Sequence, residues 1–220
     1  MEDADLDAAV AAAVRARFSN CGQVCLAAKR FIIADGCWQD FSARFVQAVA
    51  TLRVGDPLDA RTQIGPMARH DLRDALDDQV QRSIAQGARK LAGAHALTGP
   101  GYFYAPTVLT DIEPSNPVVT EETFGPVAPL MHAQSAQHAV ELANDSRFGL
   151  GAVIWTRDIG RAREMASALQ SGSVTINAVT ASDPRLPVGG VKLSGYGREL
   201  GEYGMRELVN VQSVVVGPLA

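Results

Sequence analysis

Residues 19–34 read Ser-Asn-Cys-Gly-Gln-Val-Cys-Leu-Ala-Ala-Lys-Arg-Phe-Ile-Ile-Ala, and their order decides what fold the chain can take. An Ala-rich run, Asp5 to Asn20, leads into them, with Asp3 or Asp5 suited to cap it as a helix. Gly22-Gln23 then breaks the helix, and a thiol follows at Cys25. Ala28 to Ala34 is an apolar segment that reads as a buried strand. Helix, tight turn and buried strand in succession predict an α/β fold with a parallel sheet.

The periodicities downstream repeat that alternation. Trp38, Phe41, Phe45, Val49 and Leu52 recur every three or four residues and predict a helix that Gly55-Asp56-Pro57 ends. Leu72, Leu76, Val80 and Ile84 predict the next, closed by Gly87. Strands fit Pro106 to Leu109, Val127 to Met131, Gly151 to Trp155 and Ser173 to Asn177. Helices fit Ala136 to Ala143 and Ile159 to Leu169. A short helix at Glu199 to Leu208 precedes the β-branched run Asn210 to Val216. That last run reads as a terminal strand with an open edge, which pairing with another subunit would cover.

Composition narrows the function classes. With 220 residues, 47% hydrophobic and 20% charged, the chain can bury the core of one large domain, or of one domain with an appendage. A net charge of −4 with scattered basic residues disfavours nucleic-acid and anionic-membrane partners. No apolar stretch approaches the roughly 18 residues that span a bilayer. Met1 is followed by Glu2-Asp3-Ala4-Asp5, so no secretory signal is expected. Three cysteines, Cys21, Cys25 and Cys37, suit a reducing compartment, the cytoplasm, better than a disulfide framework. Their spacing makes no zinc site with His70, His95, His132 or His138, and no metal is expected.

Three stretches carry candidate chemistry. Gly22-Gln23-Val24-Cys25 offers a thiol on a turn whose amide could point at a bound carbonyl, although a lone cysteine is more often a buried, inert one. Glu121-Glu122-Thr123-Phe124-Gly125-Pro126-Val127 is either a solvated loop opening a strand, or a carboxylate and a ring fixed for a sugar diol and a planar heterocycle. Gly189 to Glu199 is glycine-dense but matches neither dinucleotide nor P-loop spacing, so a tightly packed loop is the better reading. A Cys21/Cys25 redox pair requires their Cα atoms within about 7 Å.

Taken together, "NCGQVCLAAKRFI", "EETFGPVAPL", "NDSRFGLGAVIWTRD", "SGSVTIN" and "PVGGVKLSGYGRELGEYG" resemble the aldehyde dehydrogenase superfamily in content and order. In "AAKRFI", "VGDPLD" and "SDPRLPVGGVK" the chain is similar to the bacterial succinate-semialdehyde dehydrogenases. The resemblance implies a parallel-sheet catalytic domain over residues 1–208 and an oligomerisation strand over 209–220. It implies oxidation of an aldehyde, succinic semialdehyde, with NAD or NADP through a thiohemiacetal and a thioester on Cys25. Glu122 matches the residue that binds the nicotinamide-side ribose, and Phe124 the ring beside the nicotinamide. Asn177, expected to be catalytic beside Cys25, matches the asparagine on the strand behind the catalytic loop, and Ser182 a serine that holds the substrate carboxylate.

Two positions depart from the pattern. Val188 stands where the family usually has Phe, loosening one wall of the aldehyde tunnel, and Ser19 where some members carry Arg for the succinate carboxylate. The resemblance extends to roughly the C-terminal half of such an enzyme. The glutamate base, the asparagine oxyanion donor, the cofactor lysine and the N-terminal dinucleotide-binding domain are therefore expected to be absent from these residues. On that expectation the chain alone binds no dinucleotide and is inactive as a dehydrogenase. The alternatives are a residual cofactor-independent thiol esterase and a non-catalytic fragment that self-associates. A homo-oligomer through the terminal strand is expected in either setting.

Overall fold

The computed structural model describes residues 1–218. Helix α1 spans Leu6–Phe18 and is capped by Asp5, whose carboxylate accepts from the Ala8 N–H at 3.0 Å. Asp3 is used elsewhere: its carboxylate accepts from Thr156 Oγ1 and from the N–H groups of Arg157 and Asp158, tying the start of the chain to the other end of the fold. Strand β1 (Phe31–Ala34) follows, then α2 (Trp38–Ala50) and α3 (His70–Ala85). Next come β2 (Arg89–Ala92), β3 (Thr107–Thr110), the one-turn α4 (Pro117–Thr120), β4 (Val127–Ala133) and α5 (Ala136–Asn144). The last third holds β5 (Phe148–Gly149), β6 (Gly151–Ile154), α6 (Ile159–Ala168), β7 (Ser173–Ile176), β8 (Val191–Lys192) and α7 (Gly201–Glu207).

The main sheet has the order β1-β4-β3-β2. β1 runs parallel to β4, with Phe31 opposite Leu130, and β3 parallel to β4, with Val108 opposite Ala128. Central β4 is buried at every position but His132, as expected for a strand covered on both faces. The sheet is not wholly parallel: β2, unforeseen in the sequence, pairs antiparallel with β3 at the edge. Nor is it one sheet, since β6 and β7 form a separate parallel pair and β5 and β8 a short antiparallel one. The core gathers on the main sheet, where Phe45 of α2 is fully buried against Phe18, Phe31 and Phe41.

Element ends differ from the periodicity by a few residues. α2 stops at Ala50, before the Gly55-Asp56-Pro57 signal, and Leu52 packs on the core from beyond the helix. α7 spans Gly201–Glu207, inside the expected start, because the chain enters it through Leu200 and Gly201 at φ +61° and +59°, outside the right-handed helical region. The expected terminal strand is unpaired in the single chain. Residues 210–218 pair with no strand, and Val211, Val214, Val215 and Val216 are exposed. A β-branched run becomes a strand only beside a free edge, and it meets none among the described residues. Residues 219 and 220 of that expected strand lie outside the described ones.

Candidate active site

The site starts where α1 ends. Asn20, Cys21 and Gly22 have φ of 51°, 55° and 70°, a left-handed run that reverses the chain within three residues. Such a conformation costs two non-glycine residues energy and needs outside support. Arg17, fully buried in the last turn of α1, supplies it. Its guanidinium donates to Gly22 O at 2.8 Å, to Ala28 O at 2.8 Å and to Gly125 O at 2.7 Å. The first two carbonyls flank Cys25 and the third lies just past Phe124, so one cation staples both loops together. Burial pulls the Arg17 pKa down to about 10, opposed by Cys21, and the group stays charged at neutral pH. Gly22 is required by this packing. A Cβ there would lie 2.3 Å from Gly125 O and 2.5 Å from Arg17 Nη2.

Held at both ends, residues 24–27 make a turn closed by Ala27 N–H donating to Val24 O at 3.1 Å, and Cys25 on it is exposed. No group among the described residues accepts from the Cys25 N–H. Cys21 and Cys37 are buried, and all three cysteines are free. Burial pushes the Cys21 thiol up to about 11 against the pull of Arg17, which disfavours the thiolate that attack on a disulfide or an electrophile needs.

Cys25 lines two cavities. One, about 470 Å3, also takes in Ser182, Val188, Gly189, Gly190 and Glu199, so the expected substrate-side residues do share a wall with the thiol. Val188 is fixed there by exchanging backbone hydrogen bonds of 2.7 Å with Glu199. The glycines beside it serve close packing: a Cβ on Gly190 would lie 2.4 Å from Ser194 Cβ. The other, about 350 Å3 and mostly apolar, runs from Cys25 between β1 and β6 and reaches Ala178, Val179 and Thr180.

Asn177 stands apart. Its side-chain oxygen accepts from Thr156 N–H at 3.0 Å and its amide donates to Thr156 O at 2.7 Å. With φ +55° it turns the chain out of β7, and the residues after it, not its own side chain, reach the apolar cavity between β1 and β6.

The two acids of the Glu121-Glu122 pair have different surroundings. Glu121 takes a bidentate pair from Arg82 of α3 at 2.9 and 2.8 Å and a bond from Gln79 at 3.0 Å, and Arg82 holds its carboxyl below the usual glutamate range. Glu122 is exposed, and its carboxylate has no such pairing among the described residues. Phe124, 40% exposed, rests one face on the Lys29 ammonium, whose Nζ lies 3.7 Å from the ring centroid. Lys29 Nζ also donates to Thr123 O at 2.8 Å. Arg17, Lys29 and Arg82 were not legible as site residues. An arginine late in a helix, as at 17 and 82, or a lysine four residues past a cysteine has no spacing that marks it.

The aldehyde dehydrogenase family model matches residues 1–214. Over 214 residues the chain is 53% identical to the succinate semialdehyde dehydrogenase (NAD(P)+) Sad of Escherichia coli strain K12, covering 97% of this chain and 46% of that protein. It is 46% identical over 217 residues to succinate-semialdehyde dehydrogenase (NADP(+)) 1 of Mycobacterium ulcerans strain Agy99, covering 99% and 47%. The crystal structure of lactaldehyde dehydrogenase from Escherichia coli matches with a TM-score of 0.94 at 33% identity, over 97% of this chain and 45% of that one. The chain spans about half the length of the curated relatives it matches. No helix among the described residues is long and apolar enough to cross a membrane, and no group of three or more His, Cys, Asp or Glu is placed to hold a metal ion. By sequence over nearly its whole length and by the backbone that carries Cys25, the chain belongs to the aldehyde dehydrogenase family.

Proposed function

We propose that this chain is the thiol-bearing half of an NAD(P)+-dependent aldehyde dehydrogenase whose substrate is succinic semialdehyde. The observation that supports this best is the placement of Cys25: exposed on a pinned turn, where a cavity walled by Ser182 and Val188 meets a second one. In this reading Cys25 Sγ adds to the aldehyde carbon as the thiolate, and the developing oxyanion accepts from the Cys25 N–H. The Ser182 hydroxyl is suited to donate to the far carboxylate. Val188 leaves room beside the thiol that a bulkier side chain would fill. Asn177 acts by positioning the backbone behind the site.

The residues present fit the nicotinamide end of a dinucleotide. Glu122 offers an exposed carboxylate to a ribose diol, and Phe124 a partly exposed ring next to it. When bound, NAD(P)+ supplies the hydride acceptor. Glu122 and Phe124 would orient it, on a loop that Arg82 and Lys29 hold still. The names of two relatives, both succinate-semialdehyde dehydrogenases, support the choice of aldehyde. The exposed valines at 211 and 214–216 support assembly into a homo-oligomer through the terminal segment, and three free cysteines support a cytoplasmic setting.

Incubating the 220-residue chain with NADP+ and succinic semialdehyde tests the reading, with Cys25 followed by iodoacetamide labelling and mass spectrometry. We expect the aldehyde to slow Cys25 labelling, and no sustained NADPH formation by the chain alone. Labelling of Cys25 indifferent to the aldehyde would overturn the nucleophile. Sustained reduction at an enzyme's rate would overturn the expectation that the remaining catalytic groups lie beyond these residues.

A further inference from the structure

Lys29 lies in the stretch "NCGQVCLAAKRFI" but is given no part there in holding a cofactor, yet its side chain meets the loop that bears Glu122 and Phe124 at two points. Nζ donates to Thr123 O at 2.8 Å, which fixes the backbone just before Phe124. The same ammonium sits 3.7 Å from the centroid of the Phe124 ring, well within the distance at which a cation is attracted to a ring face. Its own backbone is anchored on both sides. Ala28 O accepts from Arg17, and Arg30 donates to Leu142 O and Ala143 O, each at 2.7 Å. A side chain on so firm a base, gripping one residue by its carbonyl and the next by its ring, removes freedom from both.

We infer that Lys29 is a positioning residue, whose protonated amine clamps the Phe124 ring beside the Cys25 turn and releases it on losing its proton. Both contacts call for the charged form: the ring attracts a cation, and a charge-assisted bond to Thr123 O is stronger than a neutral one. The groups that face Lys29 are Arg17 from α1, Glu122 from the loop and Cys25 from the turn. Burial, and then the like charge of Arg17, bring its pKa down to about 8, with Glu122 and Cys25 opposing. The clamp therefore holds at neutral pH and opens as the solution becomes alkaline. The inference rests on the reading of Phe124 as the ring beside the nicotinamide for its catalytic meaning, and on the two contacts alone for its physical one.

The chain labelled with 4-fluorophenylalanine at its seven phenylalanines tests this by fluorine NMR. The Phe124 signal is assigned by its loss in Phe124→Leu, and the other six report on the fold. In the wild type the Phe124 signal should move with a midpoint near pH 8. In Lys29→Arg, which stays charged, it should keep its neutral-pH position throughout. In Lys29→Met it should sit at the wild type's alkaline position without titrating. A wild-type signal that stays flat through this range would overturn the clamp, as would one that titrates equally in Lys29→Arg. If Lys29→Met does not fold, the wild type and Lys29→Arg decide it. A clamp seen here together with a failed aldehyde assay would refute the dehydrogenase reading and leave the clamp standing.

Discussion

Arg17 shows how much one buried side chain can organise. Its planar fork reaches three carbonyls on two loops, a geometry a lysine ammonium cannot copy. Arg17→Met should leave Gly22 O, Ala28 O and Gly125 O without that donor, at a cost of about 3 kcal/mol or more, read as a fall in the urea midpoint at unchanged slope. Arg17→Lys should restore part of it. The cysteines give a second check at the same scale. Cys25 is exposed while Cys21 and Cys37 are buried. Iodoacetamide should therefore modify Cys25 alone in the folded chain, and all three after denaturation, as peptide masses will tell. Early labelling of Cys21 would mean that the left-handed turn at residues 20–22 opens freely.

Between elements, the loop at residues 121–125 is joined to α3 by Arg82 and Gln79 and to the thiol turn by Lys29 and Arg17. The sequence shows two adjacent acids and no means of telling them apart. The structure assigns Glu121 to Arg82 and leaves Glu122 exposed, because only the tertiary packing brings α3 alongside the first of them. The side-chain bond from Arg82 lowers the folded pKa of Glu121 below its ordinary value of 4.5. A carboxylate with a depressed folded pKa stabilises the fold fully above the unfolded value, and that contribution is lost as pH falls through the folded one. Glu121→Gln should thus be less stable than wild type by about 1 kcal/mol at neutral pH, both partners being partly exposed, and the gap should close in acid, as pH falls below the ordinary glutamate value and through the lower folded one, in matched urea titrations. A gap that persists in acid would assign the effect to packing.

Across the whole molecule, the segment after α7 is the part least bound to the rest. Leu208, Val209, Val211 and Val214 to Val216 are all largely exposed, and no strand pairs with residues 210–218. Truncation after Val209 should leave thermal stability nearly unchanged, within about 0.5 kcal/mol, since surface changes away from packed features usually fall within that range. The same truncation should abolish self-association measured by light scattering over a dilution series. Oligomers that survive it would move the interface to another face of the fold.

Most of the helices and strands, and the place of the thiol on a turn between them, follow from the sequence alone. Periodicity of 3.6 or continuous apolar runs are local signals, and Gly22 marks the turn locally too. Edge strand β2 was invisible because Arg89-Lys90-Leu91-Ala92 is half exposed and carries no run of β-branched residues. The division into separate sheets depends on which edges meet, and local pattern does not encode that. The candidate site divides in the same way. Motif order brought Cys25, Glu122, Phe124, Ser182 and Val188 into view, whereas the bonds by which Arg17, Lys29 and Arg82 hold the loop at 121–125 span 39 to 108 positions. Contacts at such separations come into being only when the chain is packed, which is why the tertiary structure, and not the string of residues, decided what holds the thiol in place.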